Sequence, residues 1–233
     1  MKLKRKIMGV TVGTPISPEI ISKKLEIGEL RKQVNDLESS VADLLYTSID
    51  ITKFSHNLGT NETGSVVKEL TLSWTLNKTP TAQTVDGVSV DVSERSKKLT
   101  GLEIKTNKTF TLIVTDEREA TDSATATVSF QNGVYYGASA MPGTIDSAFI
   151  LGLKKELSGN KGRTITVTAG DGHHIWYALP SRLGKCSFAV GGFSGGFDLV
   201  NTIDFTNASG YTEAYYVYAS AKTGLGETKV VVS

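Results

Sequence analysis

One cysteine, Cys186, is all that the 233-residue chain contains, which excludes any disulfide within it. Prolines number only five, so long stretches are free to form regular structure. An excess of either charge is also missing: 25 basic residues face 24 acidic ones, for a net charge of +1. That balance gives no electrostatic basis for binding nucleic acid or an anionic membrane surface. No window is long and apolar enough to span a bilayer. The start, MKLKRKIMGVTVGTPISPE, has the basic cluster of a signal peptide in Lys2, Lys4, Arg5 and Lys6. It lacks the apolar stretch that should follow, because Thr11, Gly13 and Thr14 interrupt it. The expectation is a protein without a signal peptide, held together by packing and by association.

What is present is mostly β-forming. Glycine (23 residues) and threonine are abundant, which suits strands joined by tight turns. Four segments follow from the pattern. Residues 1–18 read as a tail with a short extended piece, Gly9-Val10-Thr11-Val12-Gly13, kept from being helical by Pro15 and Pro18. Residues 19–46 read as a helix, announced by Ser17, by Pro18 in its first turn and by Glu19. Residues 48–131 read as a β-sandwich, and residues 133–233 as an antiparallel β-domain with one short helix. The fold class expected is therefore mainly β.

The helix carries a strict heptad. Its apolar residues fall at Ile27, Leu30, Val34, Leu37, Val41 and Leu44, in alternating steps of three and four. The flanking positions include Arg31, Gln33, Glu38 and Ser40, all polar. A helix on a globular core shows a wider apolar stripe; a stripe confined to a and d buries itself against copies of its own helix. The pattern predicts a homo-oligomeric coiled coil. β-Branched residues at a with Leu at d favour two strands, weakly over so few heptads, and a dimer or a trimer is expected.

In the first β-segment Leu70, Leu72, Trp74 and Leu76 alternate, as do Phe110, Leu112 and Val114, and Ala124, Ala126, Val128 and Phe130. Asp86-Gly87 between Val85 and Val88 is a hairpin signal. Turn signals recur about every 8–12 residues, as in an immunoglobulin-like or fibronectin type III sandwich, with Trp74 as core anchor. In the second segment a helix is expected from Ser147 to Leu157, capped by Asp146, stopped by Gly159, and with Phe149, Leu153 and Leu157 on one face. Strands follow in RTITVTA, HHIWYAL, CSFAV, NTIDFTN, TEAYYVYAS and TKVVV.

Chemistry is hard to place. VGGFSGGF, residues 190–197, has no Lys-Ser or Lys-Thr after it and is no phosphate loop. Its glycines permit positive φ, and Phe193 and Phe197 are read as anchors packed into the core, with a ligand-facing loop as the alternative. His173 and His174 are neighbours in a strand and point to opposite faces, so no shared metal is expected. Cys186 reads as a small buried hydrophobe in a strand, and no catalytic group or cofactor is expected. Asn61, Asn77, Asn107 and Asn207 stand in glycosylation sequons but read as turn residues. If a glycan were bound, Tyr135, Tyr136, Trp176 or Tyr211 would have to stand exposed as a stacking platform.

A tail, a self-associating helix and β-modules in series form the layout of a fibre. MGVTVGTPISPE resembles the N-terminal segments of bacteriophage virion proteins. KLTGLEIKTNKTFTLIVTDEREATDSATATVSF resembles their immunoglobulin-like module, and the run from VYYGAS through AGDGHHIWYALPSRLGKCSFAVGGFSGGF to LGETKVVV resembles a terminal domain of phage structural proteins. The resemblance implies a non-enzymatic head fibre, or a tail or baseplate fibre, assembled into the virion in the host cytoplasm. Gly9–Gly13 would dock on capsid or tail proteins. The alternative is a host-surface adhesin, with Trp176, Tyr211, Phe193 and Phe197 facing a glycan. A cell-wall hydrolase has no supporting residues.

Overall fold

The structure is a computed structural model that describes residues 17–233. Among these residues helix α1, Pro18–Leu45, lies within one residue at each end of the expected 19–46. Ser17 is extended and its Oγ accepts the backbone N–H of Ile20, and Pro18 sits in the first turn. Tyr46 ends the helix in an extended conformation. No residue of α1 is buried.

Residues 49–233 make a separate compact unit with two β-modules in tandem. The first contains β1 (Ile51–His56), β2 (Asn61–Glu62), β3 (Leu70–Leu76), β4 (Ala82–Val85), β5 (Val88–Ser89), β6 (Ser96–Leu99), β7 (Lys108–Thr115), β8 (Thr121–Val128) and β9 (Phe130–Gln131). One sheet has the order β1-β3-β6 and the other β5-β4-β7-β8. Leu70, Leu72 and Trp74 of the first sheet meet Val85, Phe110, Leu112, Val114, Ala126 and Val128 of the second in one apolar core. The alternation works because successive side chains on a strand point to opposite faces. Trp74 is fully buried, and its indole N–H donates to Gln83 Oε1 at 3.1 Å. Gln83 in turn donates to the carbonyls of Asp91 and Glu94. Asp86 and Gly87 have φ of 48° and 76°, the left-handed pair that a two-residue hairpin requires.

Asp116, on the β7–β8 turn, is the polar centre of this module. Its buried carboxylate accepts the backbone N–H groups of Ile49 (3.1 Å), Arg118 (2.9 Å) and Ala120 (3.0 Å) and pairs with Lys78 Nζ at 2.9 Å. It thereby fixes the point where the chain comes into the sandwich.

The second module contains β10 (Gly133–Ala140), α2 (Ser147–Leu151), β11 (Lys154–Leu157), β12 (Arg163–Ala169), β13 (His173–Pro180), β14 (Phe188–Val190), β15 (Phe193–Ser194), β16 (Phe197–Thr206), β17 (Thr212–Ser220) and β18 (Gly226–Val232). A five-stranded sheet, β11-β10-β13-β17-β16, is buried on both faces. One face packs on the sheet β12-β18-β14-β15 through Tyr136, Ile175, Tyr177, Tyr218, Val230 and neighbours. The other face carries Tyr135, Trp176, Phe205 and Tyr215 and is covered by α2 through Phe149 and Ile150.

Two expectations fail here. The helix from Ser147 stops at Leu151 with Gly152 as its C-cap, not Gly159; Leu153, just beyond it, still packs on the same core as Phe149, but Leu157 does not. Lys154–Leu157 instead pairs as β11 along Gly133–Tyr136. The backbone of β10 gains a ladder there, and that long-range pairing overrides the helix propensity of the Lys-Lys-Glu-Leu run. Cys186 lies before the strand that starts at Phe188, not within it.

Candidate functional site

The expected oligomerisation residues lie along α1 with their side chains in solvent. Exposure runs from 44% at Val41 to 85% at Leu44, with Ile27, Leu30, Val34 and Leu37 between. Ile20 continues the a register one heptad earlier and is also exposed. The expected docking piece, Gly9–Gly13, lies outside the described residues.

The aromatic platform is not there. Trp176, Tyr135 and Tyr136 are buried, which corrects the placement of Trp176 at a ligand-facing surface. Trp176 packs edge-on against Phe149 at 4.8 Å and donates its indole N–H to the carbonyl of Ser139 at 3.0 Å. Burial drives the Tyr135 hydroxyl well above its ordinary pKa, with the Glu62 carboxylate adding to the shift. Phe197 behaves as an anchor, stacked on Phe188 at 4.3 Å. Phe193 does not: it is 82% exposed, against the expectation that both rings pack inward. The cause is the backbone. Gly191 and Gly192 at φ of 56° and 93° make a tight turn that leaves Phe193 on a two-residue edge strand beyond the reach of the core.

Tyr211 is half-exposed because it belongs to a joint between the two modules. Its Cβ lies 2.4 Å from where a side chain on Gly64 would begin, and Gly64 has φ of 92°. Around this contact β2 and β9 pair in parallel, Asn61 beside Phe130. Asn132, buried, accepts from Thr63 Oγ1 (2.8 Å) and from Arg182 (3.1 Å), and donates to Glu213. Arg182 also pairs with Glu213 at 2.7 Å. Glu62 takes Lys155 at 2.9 Å and the Tyr135 hydroxyl at 3.3 Å. Asn207 donates to the carbonyl of Thr63 at 2.7 Å. Nothing in the sequence marks these partners, since they come from different modules and no periodicity links them.

Gly64→Ala should cost about 1–3 kcal/mol, from the left-handed backbone and the displaced Tyr211. Gly59→Ala, which meets nothing within 4 Å, should be near neutral in the same urea titration. Equal effects would contradict a close-packed joint.

The sequon asparagines all bond backbone groups. Asn61 donates to the Ser129 carbonyl, and Asn77 accepts from the Asp50 N–H. Asn107 accepts from the N–H of Phe130, and Asn207 from those of Ser209 and Tyr211. Only Asn207 has the local turn role read from the sequence; Asn61 sits in a strand, and Asn61, Asn77 and Asn107 bond segments distant in the chain. His173 and His174 each turn Nδ1 to a different backbone carbonyl, of Asp171 and Ser220. Among the described residues no group of three His, Cys, Asp or Glu side chains could hold a metal, and no helix is long and apolar enough to cross a membrane. Burial pushes the Cys186 thiol up to about 11, against the opposing pull of Lys161 and Arg163. At neutral pH iodoacetamide should modify it at least about a hundredfold more slowly than an unperturbed thiol; a rate matching free cysteine would refute the burial argument.

The fold thus defines a class: a mainly β chain of tandem sandwich modules behind an N-terminal helix. No protein-family model matches the sequence, and no curated protein does. Among solved structures, a carbohydrate-binding module of the β-sandwich superfamily is 10% identical, with 80% of this chain and 96% of that one covered at a TM-score of 0.33. The N-terminal eight Ig domains of Down Syndrome Cell Adhesion Molecule are 12% identical, covering 76% of this chain and 25% of that one at 0.21. The Bacteroides ovatus protein SGBP-B, in complex with a mixed-linkage heptasaccharide, is 13% identical, covering 81% and 44% at 0.22. At such scores the likeness carries no argument about fold or site.

Proposed function

We propose that this chain is a non-enzymatic structural fibre or decoration protein of a bacteriophage particle, a head fibre in preference to a tail or baseplate fibre. The observation that carries the reading is the uninterrupted a/d seam of α1, exposed over its whole length and followed in the chain by a self-contained pair of β-modules. Such a seam is stable in water only when covered, and copies of the same helix cover it best. The tail before Ser17 docks on capsid or tail proteins, α1 sets the symmetry, and the β-unit projects outward. Burial of Trp176, Tyr135 and Tyr136 supports scaffold over adhesin, because a glycan platform needs exposed rings.

Light scattering of the full chain should give a dimer or trimer mass, and a chain starting at Thr47 should give one chain. A full chain that stays single at high micromolar concentration refutes the assembly. Gold-labelled antibody against the chain should decorate phage particles that contain it; labelling confined to soluble protein refutes the virion role. Tight binding on a glycan array, lost in Phe193→Ala with the fold intact, would move the reading to the adhesin.

A further inference from the structure

Asn132 and Gly133 form the only Asn–Gly pair in the chain, and the packing demands both residues. A side chain on Gly133 would begin 2.6 Å from the ring of Tyr135, which is itself buried, so the position admits glycine alone. Asn132 stands at the joint between the modules, where its amide is used at both ends. Its Oδ1 accepts from Thr63 and Arg182 while its Nδ2 donates to Glu213. A carboxylate could only accept, and an alkyl group could do neither.

Such a pair carries its own chemistry. With no Cβ beside it, the backbone nitrogen of Gly133 can attack Cγ of Asn132. The new N–Cγ bond closes a five-membered imide, the Cγ–Nδ2 bond breaks, and the proton of the attacking nitrogen leaves with the amide as ammonia. Water then adds to either imide carbonyl and opens the ring to aspartate or isoaspartate. The balance is one water in and one ammonia out. The closed joint obstructs both steps. The carboxamide would have to turn out of its three hydrogen bonds to meet the nitrogen. Asn132 is also only 3% exposed, which keeps water from the imide.

We propose that Asn132 is a site of spontaneous deamidation that the joint holds shut, and that modification there makes an opening of the joint irreversible. Contacts of this kind open locally without global unfolding. Once Asn132 has become aspartate, an oxygen replaces Nδ2 opposite the Glu213 carboxylate. Arg182 is then left to offset two negative charges in a buried place. Isoaspartate also adds a methylene to the backbone between β9 and β10.

The test follows the peptide that contains Asn132 by mass spectrometry, with chromatographic separation of the isoaspartyl form. The full chain is held in mildly alkaline buffer, folded or in guanidinium chloride. The folded chain should deamidate at least about tenfold more slowly than the unfolded one, because only the open fraction reacts. Gly64→Ala, which displaces Tyr211 at the joint, should speed the folded chain severalfold. Ile165→Val, a loosening of the core away from the joint, should not. Asn132→Asp, made directly, should lower the denaturation midpoint. No conversion even in guanidinium chloride overturns the site. Equal folded and unfolded rates, or equal effects of Gly64→Ala and Ile165→Val, overturn the joint as its guard. An Asn132→Asp chain as stable as the parent overturns the irreversible opening.

Discussion

Trp176→Ala is expected to destabilise the second module by about 3–5 kcal/mol, the range for deleting a large buried ring. Trp176 has no exposed surface and stands at the centre of the layer between the five-stranded sheet and α2. Its removal leaves a cavity beside Phe149 and strips the Ser139 carbonyl of its donor. Since whole domains retain only about 5–15 kcal/mol, the change takes a large share of the margin. Chemical denaturation followed by near-ultraviolet circular dichroism would measure it, and a loss below about 1 kcal/mol would contradict the burial. A loss of ligand binding in this variant would report folding. Phe193→Ala is the informative change, because that ring touches no core.

Asp116→Ala should be comparably severe in the first module, about 3–5 kcal/mol. It removes the acceptor of three backbone N–H groups and leaves Lys78 without its buried carboxylate. Asp116→Asn should cost less, since one oxygen still accepts. A double-mutant cycle with Lys78→Met separates the ion pair from the backbone bonds. Proteolysis near Ile49 gives a second readout, because the carboxylate fixes that residue. An alanine variant as stable as the parent would mean that the turn holds itself.

These two residues also show what could be read in the sequence. Trp74 and its neighbours alternate, Asp86-Gly87 forces a hairpin, and Ser17-Pro18 caps a helix; each signal is local and each agrees with the structure. Trp176 lies in an equally legible strand, but alternation alone does not say that both faces of a sheet are covered. That depended on α2 folding over one of them. The role of Asp116 has no local signal, because its partners Ile49 and Lys78 come from distant parts of the chain. β11 was hidden for the same reason: its partner strand, not its composition, makes it extended. The helix of α1 and its apolar stripe were legible, since capping and a 3.5-residue period need no tertiary context. The exposure of Phe193 was half legible: the flanking glycines marked a turn, but not that it lies at a sheet edge.

The place of β18 has a consequence in time. It is inserted between β12 and β14, both made before it, and its residues Gly226–Val232 are needed to join them. The sheet cannot close until about residue 232 has left the ribosome. Helix α1 needs only contacts within its own turns and forms in about a microsecond. Under the proposed self-association of α1, nascent chains would meet through their first helices while the second modules are still open, with unpaired strands at high local concentration. Strand exchange between neighbours is the hazard of that order, and a brief pause in synthesis late in the message would lengthen it.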